Sequence, residues 1–397
     1  MNVTYPRRAA LSAALAAAIV GAALFAAVSS ASGRALAAQP SCGDTIIVDT
    51  ELISDLVNCP NNGVVIGADN ITLDLNGHVI DGDGTEFSDC PPDGVCDVGV
   101  VDFDHHGVTI KGGRVREFTF GALVVGARDS RLSRLALKDN LFSGLLVAAS
   151  EHSEIDGLSV SRNGLTTDQA GIDLFDSHDL TLAGNDVFAN GDIGFFVAGL
   201  DDSRFEENSL ADNPETGILL DHGNGNTFSR NRFSNNGDGL VVSGHANTVA
   251  GNYVSDTVGG PDGNGFGISL EGGTDNVIEG NIVVRSRQAD IRLAAFEQFG
   301  GPPTVGNTVR GNLVRDSEVD GLLVESTAAD TFVERNIAIG ASDDGIDVDS
   351  AATTVTGNLA MRNGDLGIEA VPGVTDGGGN KARANGNPAQ CTNVSCS

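Results

Sequence analysis

The sequence predicts an all-β fold, a single-stranded right-handed parallel β-helix solenoid of about 12 coils of 22–24 residues. Three observations carry this reading. A Gly–apolar–any–apolar anchor recurs along the chain, an asparagine follows most anchors at a near-constant distance, and the cysteines are confined to the two ends.

Residues 1–38 read as an export signal. Arg7 and Arg8 form a positive start, an apolar run extends from Ala9 to Val28, and Ala35-Leu36-Ala37 supplies a small-residue cleavage pattern. The run is about long enough to span a bilayer, but its alanine content and the cleavage pattern favour removal. The mature chain then has no membrane span. Residues 39–62 are expected to cap the solenoid, residues 63–385 to form it, and residues 386–397 to close it as a disulfide cap.

Between the caps the anchors stand at Gly121, Gly144, Gly171, Gly194, Gly217, Gly239, Gly267, Gly321, Gly345 and Gly367, with Asp290 filling one slot. Most spacings are 22–24 residues, and the longer ones mark coils with loop insertions. Gly63–Val79 and Val98–Val115 read as two further coils. A strand alternates its side chains, so Ile172 and Leu174, Ile218 and Leu220, and Ile346 and Val348 are expected to line the interior. Asparagines about fourteen residues after the anchors, such as Asn231, Asn252, Asn281 and Asn336, are expected at the corners. There the residue type tolerates left-handed backbone and hydrogen-bonds along a stack. A leucine-rich repeat has a similar period, but its leucine spacing and helix-length segments are missing.

Six cysteines in an exported chain point to disulfides. Proximity pairs Cys42 with Cys59, Cys90 with Cys96, and Cys391 with Cys396. Zinc is disfavoured, because no Cys-x-x-Cys pair or nearby histidine cluster accompanies them. The formal charge is −31, and losing Arg7, Arg8 and Arg34 with the signal makes it −34. With no basic patch or aromatic RNA-binding motif, nucleic acid is not an expected partner. A monomer is expected.

The repeat, the opening CGDTIIVDTELISDLVNCPNNGVVIGADNITLDLNGHVIDGDGT and the closing GGGNKARANGNPAQCTNVSC resemble secreted bacterial β-helix repeat proteins. These are the CASH and NosD-like groups of the pectate-lyase-like superfamily. The resemblance implies an extracellular or cell-surface location and a polysaccharide partner, with lyase or uronan C5-epimerase activity among the family's chemistries. A non-catalytic structural or adhesive rod is the alternative, since fold does not fix function. The family's tandem-aspartate and Asp-Pro-His-Asp catalytic motifs are not found here, and aromatic residues for stacking on sugars are few.

Two groups of residues carry the chemistry that remains. Asp221, His222, His245, Glu271 and Arg292 fall at neighbouring strand or strand-end positions on four successive coils. Uronate lyases and epimerases must neutralise a carboxylate, remove the C5 proton and deliver a proton. Arg292 suits the first task, His222 or His245 the second, and Asp221 or Glu271 the orientation of a histidine or the third. Asp343, Asp344, Asp347 and Asp349 lie in one coil, with Glu325 and Glu369 on neighbouring coils, and calcium is the cofactor such oxygens suit. For both groups, solvated residues on an acidic surface are the competing explanation. The run Asp104-His105-His106 and the acidic loop from Asp81 to Glu86 are weaker metal candidates.

Overall fold

The computed structural model describes residues 39–85, 95–166, 169–260, 264–295 and 303–397. The expected export signal, Cys90 and Glu86 lie outside them. Among the described residues the regular structure is β-strand throughout, and no helix is long and apolar enough to cross a membrane.

The chain divides into two compact units, Met1–Arg204 and Phe205–Ser397. In the first, the strands Asp44–Ile46, Val64–Ile66, Val98–Phe103, Phe120–Val125, Ser143–Ala148, Ile172–Phe175 and Ile193–Ala198 form a parallel ladder, one strand per coil. In the second, Thr216–Asp221, Asp238–Val242, Ile268–Glu271, Ile291–Ala294, Leu322–Val324, Ile346–Val348 and Ile368–Ala370 do the same. Each unit is thus a parallel β-solenoid with seven coils. Residues 44–59 supply the strands of a coil of their own, stacked on the coil that begins at Val64.

The glycine anchors set the register. Ile172 pairs with Phe195 and Leu174 with Val197, and all four side chains are fully buried. Ile218, Leu220, Ile346 and Val348 are buried to the same degree in the second unit. Each such side chain contributes about 1.5–3 kcal/mol by leaving water, which explains why the alternation recurs in every coil. The outward stripe of the first unit, Leu123, Leu146, Asp173 and Phe196, is buried as well.

Two further parallel ladders complete the coils. In the second unit one runs through Thr227–Ser229, Thr248–Ala250, Val277–Glu279, Thr308–Arg310 and Thr331–Glu334. The other runs through Arg232–Ser234, Tyr253–Ser255, Ile282–Val284, Leu313–Arg315 and Ile337–Ile339. At the corner between them stand Asn231, Asn252, Asn281, Asn312, Asn336, Asn358 and Asn380, each no more than 1% exposed. Each of the first six donates its side-chain amide to the Oδ1 of the next, at 3.0–3.2 Å.

The backbone at this corner differs from the expectation. The left-handed residue is the one before each asparagine: Arg230, Gly251, Gly280, Gly311, Arg335, Gly357 and Gly379 all have φ between 52° and 74°. The asparagine turns inward instead, and its amide serves the buried polar groups that the turn leaves unbonded.

Disulfides join Cys42 to Cys59 and Cys391 to Cys396. Cys96 is disulfide-bonded too. At the C-terminal end, Cys391 bridges to Ile368 and Cys396 to Asn380. The closing segment therefore occupies part of the strand edge that a last coil would leave open.

Candidate functional site

The outward positions of the second unit's first ladder form two columns. One stacks Leu219, Val241, Ser269, Arg292, Leu323, Asp347 and Glu369 in direct register. The second lies two residues further along each strand and includes Asp221, Glu271 and Ala294. The first column is apolar at Leu219 and Val241, then turns polar at Ser269. That change places a charged cluster on an otherwise sheltered face.

Arg292 is the centre of this cluster. Its Nε donates to Glu325 Oε1 at 2.7 Å and its Nη1 to Glu271 Oε1 at 2.9 Å, with Ser269 Oγ at 3.3 Å. The guanidinium lies over the Phe266 ring, 4.7 Å from its centroid. Side-chain exposures of 16% for Arg292 and 13% for Glu271 show a sheltered pair that solvent still reaches. Burial pushes the Glu271 carboxyl up, and the Arg292 charge works against that rise.

The other three candidates form two separate groups. His222 Nδ1 lies in ion-pair contact with Asp221 Oδ1 of the preceding residue, and the imidazole is 67% exposed. His245 Nδ1 accepts the Thr274 backbone N–H at 3.1 Å and lies 2.9 Å from Thr274 Oγ1. An accepting Nδ1 leaves the neutral ring's proton on Nε2. The structure thus joins Arg292 to Glu271 and His222 to Asp221, and sets His245 apart on Thr274.

The acidic cluster is arranged differently from its sequence order. Asp320, Asp344 and Asp347 bring carboxylate oxygens within 4.8 Å of one another, and so do Asp343, Asp344 and Asp365. Asp349 belongs to neither trio. Asp344 also accepts the Leu366 N–H at 2.7 Å, and its own N–H donates to Asp320 Oδ1 at 3.1 Å. Burial and the neighbouring carboxylates push Asp320 up to about 6, Asp347 to about 7 and Asp344 to about 8. Asp320 and Asp365 were not singled out from the sequence. The signal for Asp320 was present, because it and Asp344 each immediately precede an anchor glycine on consecutive coils.

In the first unit, His105 Nδ1 is 2.9 Å from Asp102 Oδ1. Burial pushes the Asp102 carboxyl up, and the hydrogen bond to Asp102 raises the imidazole. His106 donates its backbone N–H to Asp69 Oδ1 at 2.9 Å. In the other weak candidate, Asp81 pairs with Arg116 at 2.9 Å.

The right handed beta helix region family matches residues 79–254 and 248–392. No curated protein matches the chain in sequence. Among solved structures, the periplasmic alginate epimerase AlgG, as a double mutant, is similar at a TM-score of 0.56 and 13% identity, covering 76% of each chain. A surface adhesin of Streptococcus pneumoniae, PfbA, gives 0.54 and 10% identity, over 75% of this chain and 84% of its own. The A-module of an Azotobacter vinelandii mannuronan C-5 epimerase gives 0.52 and 15%, over 79% and 80%. At these identities the likeness is one of fold.

Proposed function

Because the chain belongs to the right-handed β-helix family, we propose that it is an exported, polysaccharide-interacting β-helix acting on uronate chains around Glu271 and Arg292. The observation that carries this reading is the sheltered Arg292–Glu271 pair, standing where the outward column turns from apolar to polar. Two of the structures similar to it are epimerases of uronate polymers by title. The disulfides are consistent with an extracellular or periplasmic setting.

The chemistry follows from the groups present. Nε and Nη1 of Arg292 hold Glu325 and Glu271, which leaves the N–H donors of Nη2 for a substrate carboxylate. Neutralising that carboxylate acidifies the C5 proton. Glu271, its carboxyl raised by burial, is the proton donor. Asp221 lies in the Glu271 column two coils away, about 10 Å. His222, paired with Asp221, is the assigned base. Removal of the C5 proton by His222 and delivery of a proton from Glu271 to the opposite face of C5 is epimerisation; breaking the bond to the 4-linked oxygen instead, with Glu271 protonating that oxygen as it leaves, is lyase cleavage.

The experiment is an assay on alginate, pectate and glycosaminoglycans, read by unsaturated-product absorbance and by proton exchange at C5. Glu271→Gln, Arg292→Ala and His222→Ala should each lower turnover at least about 100-fold. Turnover that survives all three refutes the site.

A second reading rests on a specific pattern. Arg285 grips Asp256 and Arg310 grips Glu279 across coils with the same short bonds that tie Arg292 to its carboxylates. If Arg292 is likewise a staple, the protein is a non-catalytic structural or adhesive element. Absence of turnover on every substrate would favour it.

We also propose calcium at the acidic cluster, with Asp320, Asp344 and Asp347 as its carboxylate ligands. A divalent charge there would replace the protons that these crowded carboxyls retain.

A further inference from the structure

On a different face of the second unit, the corner between the other two ladders forms an open trough of about 410 Å³. Its floor is made by Gly251, Gly280 and Gly311, one from each of three successive coils, where an added Cβ would meet nothing within 4 Å. The turn alone does not demand glycine. Arg230 and Arg335 occupy the equivalent place one coil before and one coil after, at φ 54° and 52° against 61–64° for the three glycines. What glycine adds is the absence of a side chain over three consecutive coils.

One rim carries Glu279 and Arg310, ion-paired at 2.5 Å. The other side is open; beyond it, two residues past the floor, Tyr253, Ile282, Leu313 and Ile337 stack in register on the next strand positions without lining the trough itself. Ile282 is 41% and Ile337 37% exposed. The far end is closed by Arg335, whose side chain is 78% exposed and stands 4.0 Å from the Glu334 carboxylate, beyond hydrogen-bonding distance. Arg310 by contrast is already held twice by Glu279.

We propose that this trough binds a linear acidic polysaccharide lying parallel to the coil axis, with a uronate carboxylate at Arg335. A sugar ring has a hydroxyl edge that Glu279 and Arg310 can serve and an apolar C–H face that can rest on the bare glycine floor and Ala250. The coil rise of about 4.8 Å is comparable to one pyranose unit, so successive coils present similar surroundings to successive sugars. A carboxylate matches Arg335 at the trough's end, whose pairing with Glu334 among the described residues is loose, at 4.0 Å. The inference rests on the polysaccharide reading above, but it places a binding subsite away from Glu271 and Arg292, so the two can fail independently.

The test is calorimetric titration of the full mature protein with hexameric oligogalacturonate, hexameric oligomannuronate and neutral maltohexaose. Gly280→Gln fills the floor with a long neutral side chain, a length the turn already accepts at Arg230 and Arg335. It should weaken binding of the preferred oligouronate at least tenfold, while Arg128→Gln in the other unit leaves that binding unchanged. Arg335→Gln should weaken oligouronate binding about tenfold and leave maltohexaose at its wild-type level. If Gly280→Gln fails to fold, Arg335→Gln carries the test alone. Unchanged oligouronate affinity in either variant overturns the trough, as does a wild type that binds none of the three. Loss of turnover in Glu271→Gln with no effect from Gly280→Gln would uphold the catalytic reading and refute this one.

Discussion

Asn281 gives both its backbone N–H and its side-chain amide to one atom, Oδ1 of Asn312 on the next coil, at 2.9 and 3.0 Å. Its own Oδ1 receives the same two donors from Asn252, and its amide also reaches Val249 O at 2.9 Å. Replacing it with alanine strands two buried donors on Asn252 together with the Val249 carbonyl. Each buried orphan costs about 1–3 kcal/mol, so Asn281→Ala should destabilise the protein by at least ~3 kcal/mol in urea unfolding. Asn281→Asp should cost more, because a carboxylate would then face the Val249 carbonyl and Asn312 Oδ1. A change below about 1 kcal/mol for either variant would show that the ladder is not a stabilising element.

The Cys42–Cys59 bridge closes a span of 17 residues that holds the first coil. By loop-closure entropy a link of this length stabilises by about 3 kcal/mol. Cys42→Ser with Cys59→Ser should therefore lower stability by that order. The loss should be local, with faster amide exchange at Ile46 and Leu56 than at Ile346. Uniform acceleration across the chain would mean that the first coil is not an independent cap.

Asp173 is 2% exposed between Leu146 and Phe196 of the adjacent strands and beside Ser143, its Oδ2 buried without a hydrogen-bond partner among the described residues. Burial pushes its carboxyl up to about 7 from the ordinary 3.8. The folded state thus holds this proton more tightly than the unfolded chain does. Its contribution is fully present below about pH 4 and is lost as pH rises through about 7. Asp173→Asn should be no more stable than wild type at pH 4 but melt several degrees higher at pH 8. A difference between the two proteins that does not vary with pH would place the carboxyl in water.

If Asp320, Asp344 and Asp347 hold calcium, the ion binds only the folded state. A free concentration of about a hundred times Kd then adds ~2.7 kcal/mol by mass action. The melting temperature of chelator-treated protein should rise with millimolar calcium, and Asp347→Asn should remove most of that gain. No shift in wild type would leave the cluster a set of crowded, mostly buried carboxyls that keep protons in place of a metal.

The fold was legible because every coil repeats the same decision. Gly321, Leu322 and Val324 mean the same thing as Gly345, Ile346 and Val348, so noise at one anchor is corrected by ten others. The inward and outward assignment of the first ladder followed, and with it the stacking of Ser269 on Arg292. The contacts within that face were less readable, because neighbouring side chains compete for one partner. Arg292 was expected to await a substrate carboxylate; Glu271, 21 residues before it, and Glu325, 33 after, already hold it. The acidic cluster shows the same effect. Four aspartates adjacent in sequence were grouped by a period of two, whereas the structure recruits Asp320 from the coil before and leaves Asp349 out.

The asparagine ladder keeps its bond lengths while the sequence distance between its members changes. Asn231 to Asn252 spans 21 residues, Asn252 to Asn281 spans 29 and Asn281 to Asn312 spans 31, yet the amide bonds are all 3.0 Å. Extra residues are therefore absorbed outside the corner, and the stack does not register their presence. Such a scaffold separates two evolutionary currencies that are coupled in most globular domains. Loops at the long coils can be lengthened, shortened or replaced without renegotiating the interior, so binding specificity can drift there while the hydrogen-bonded spine stays fixed.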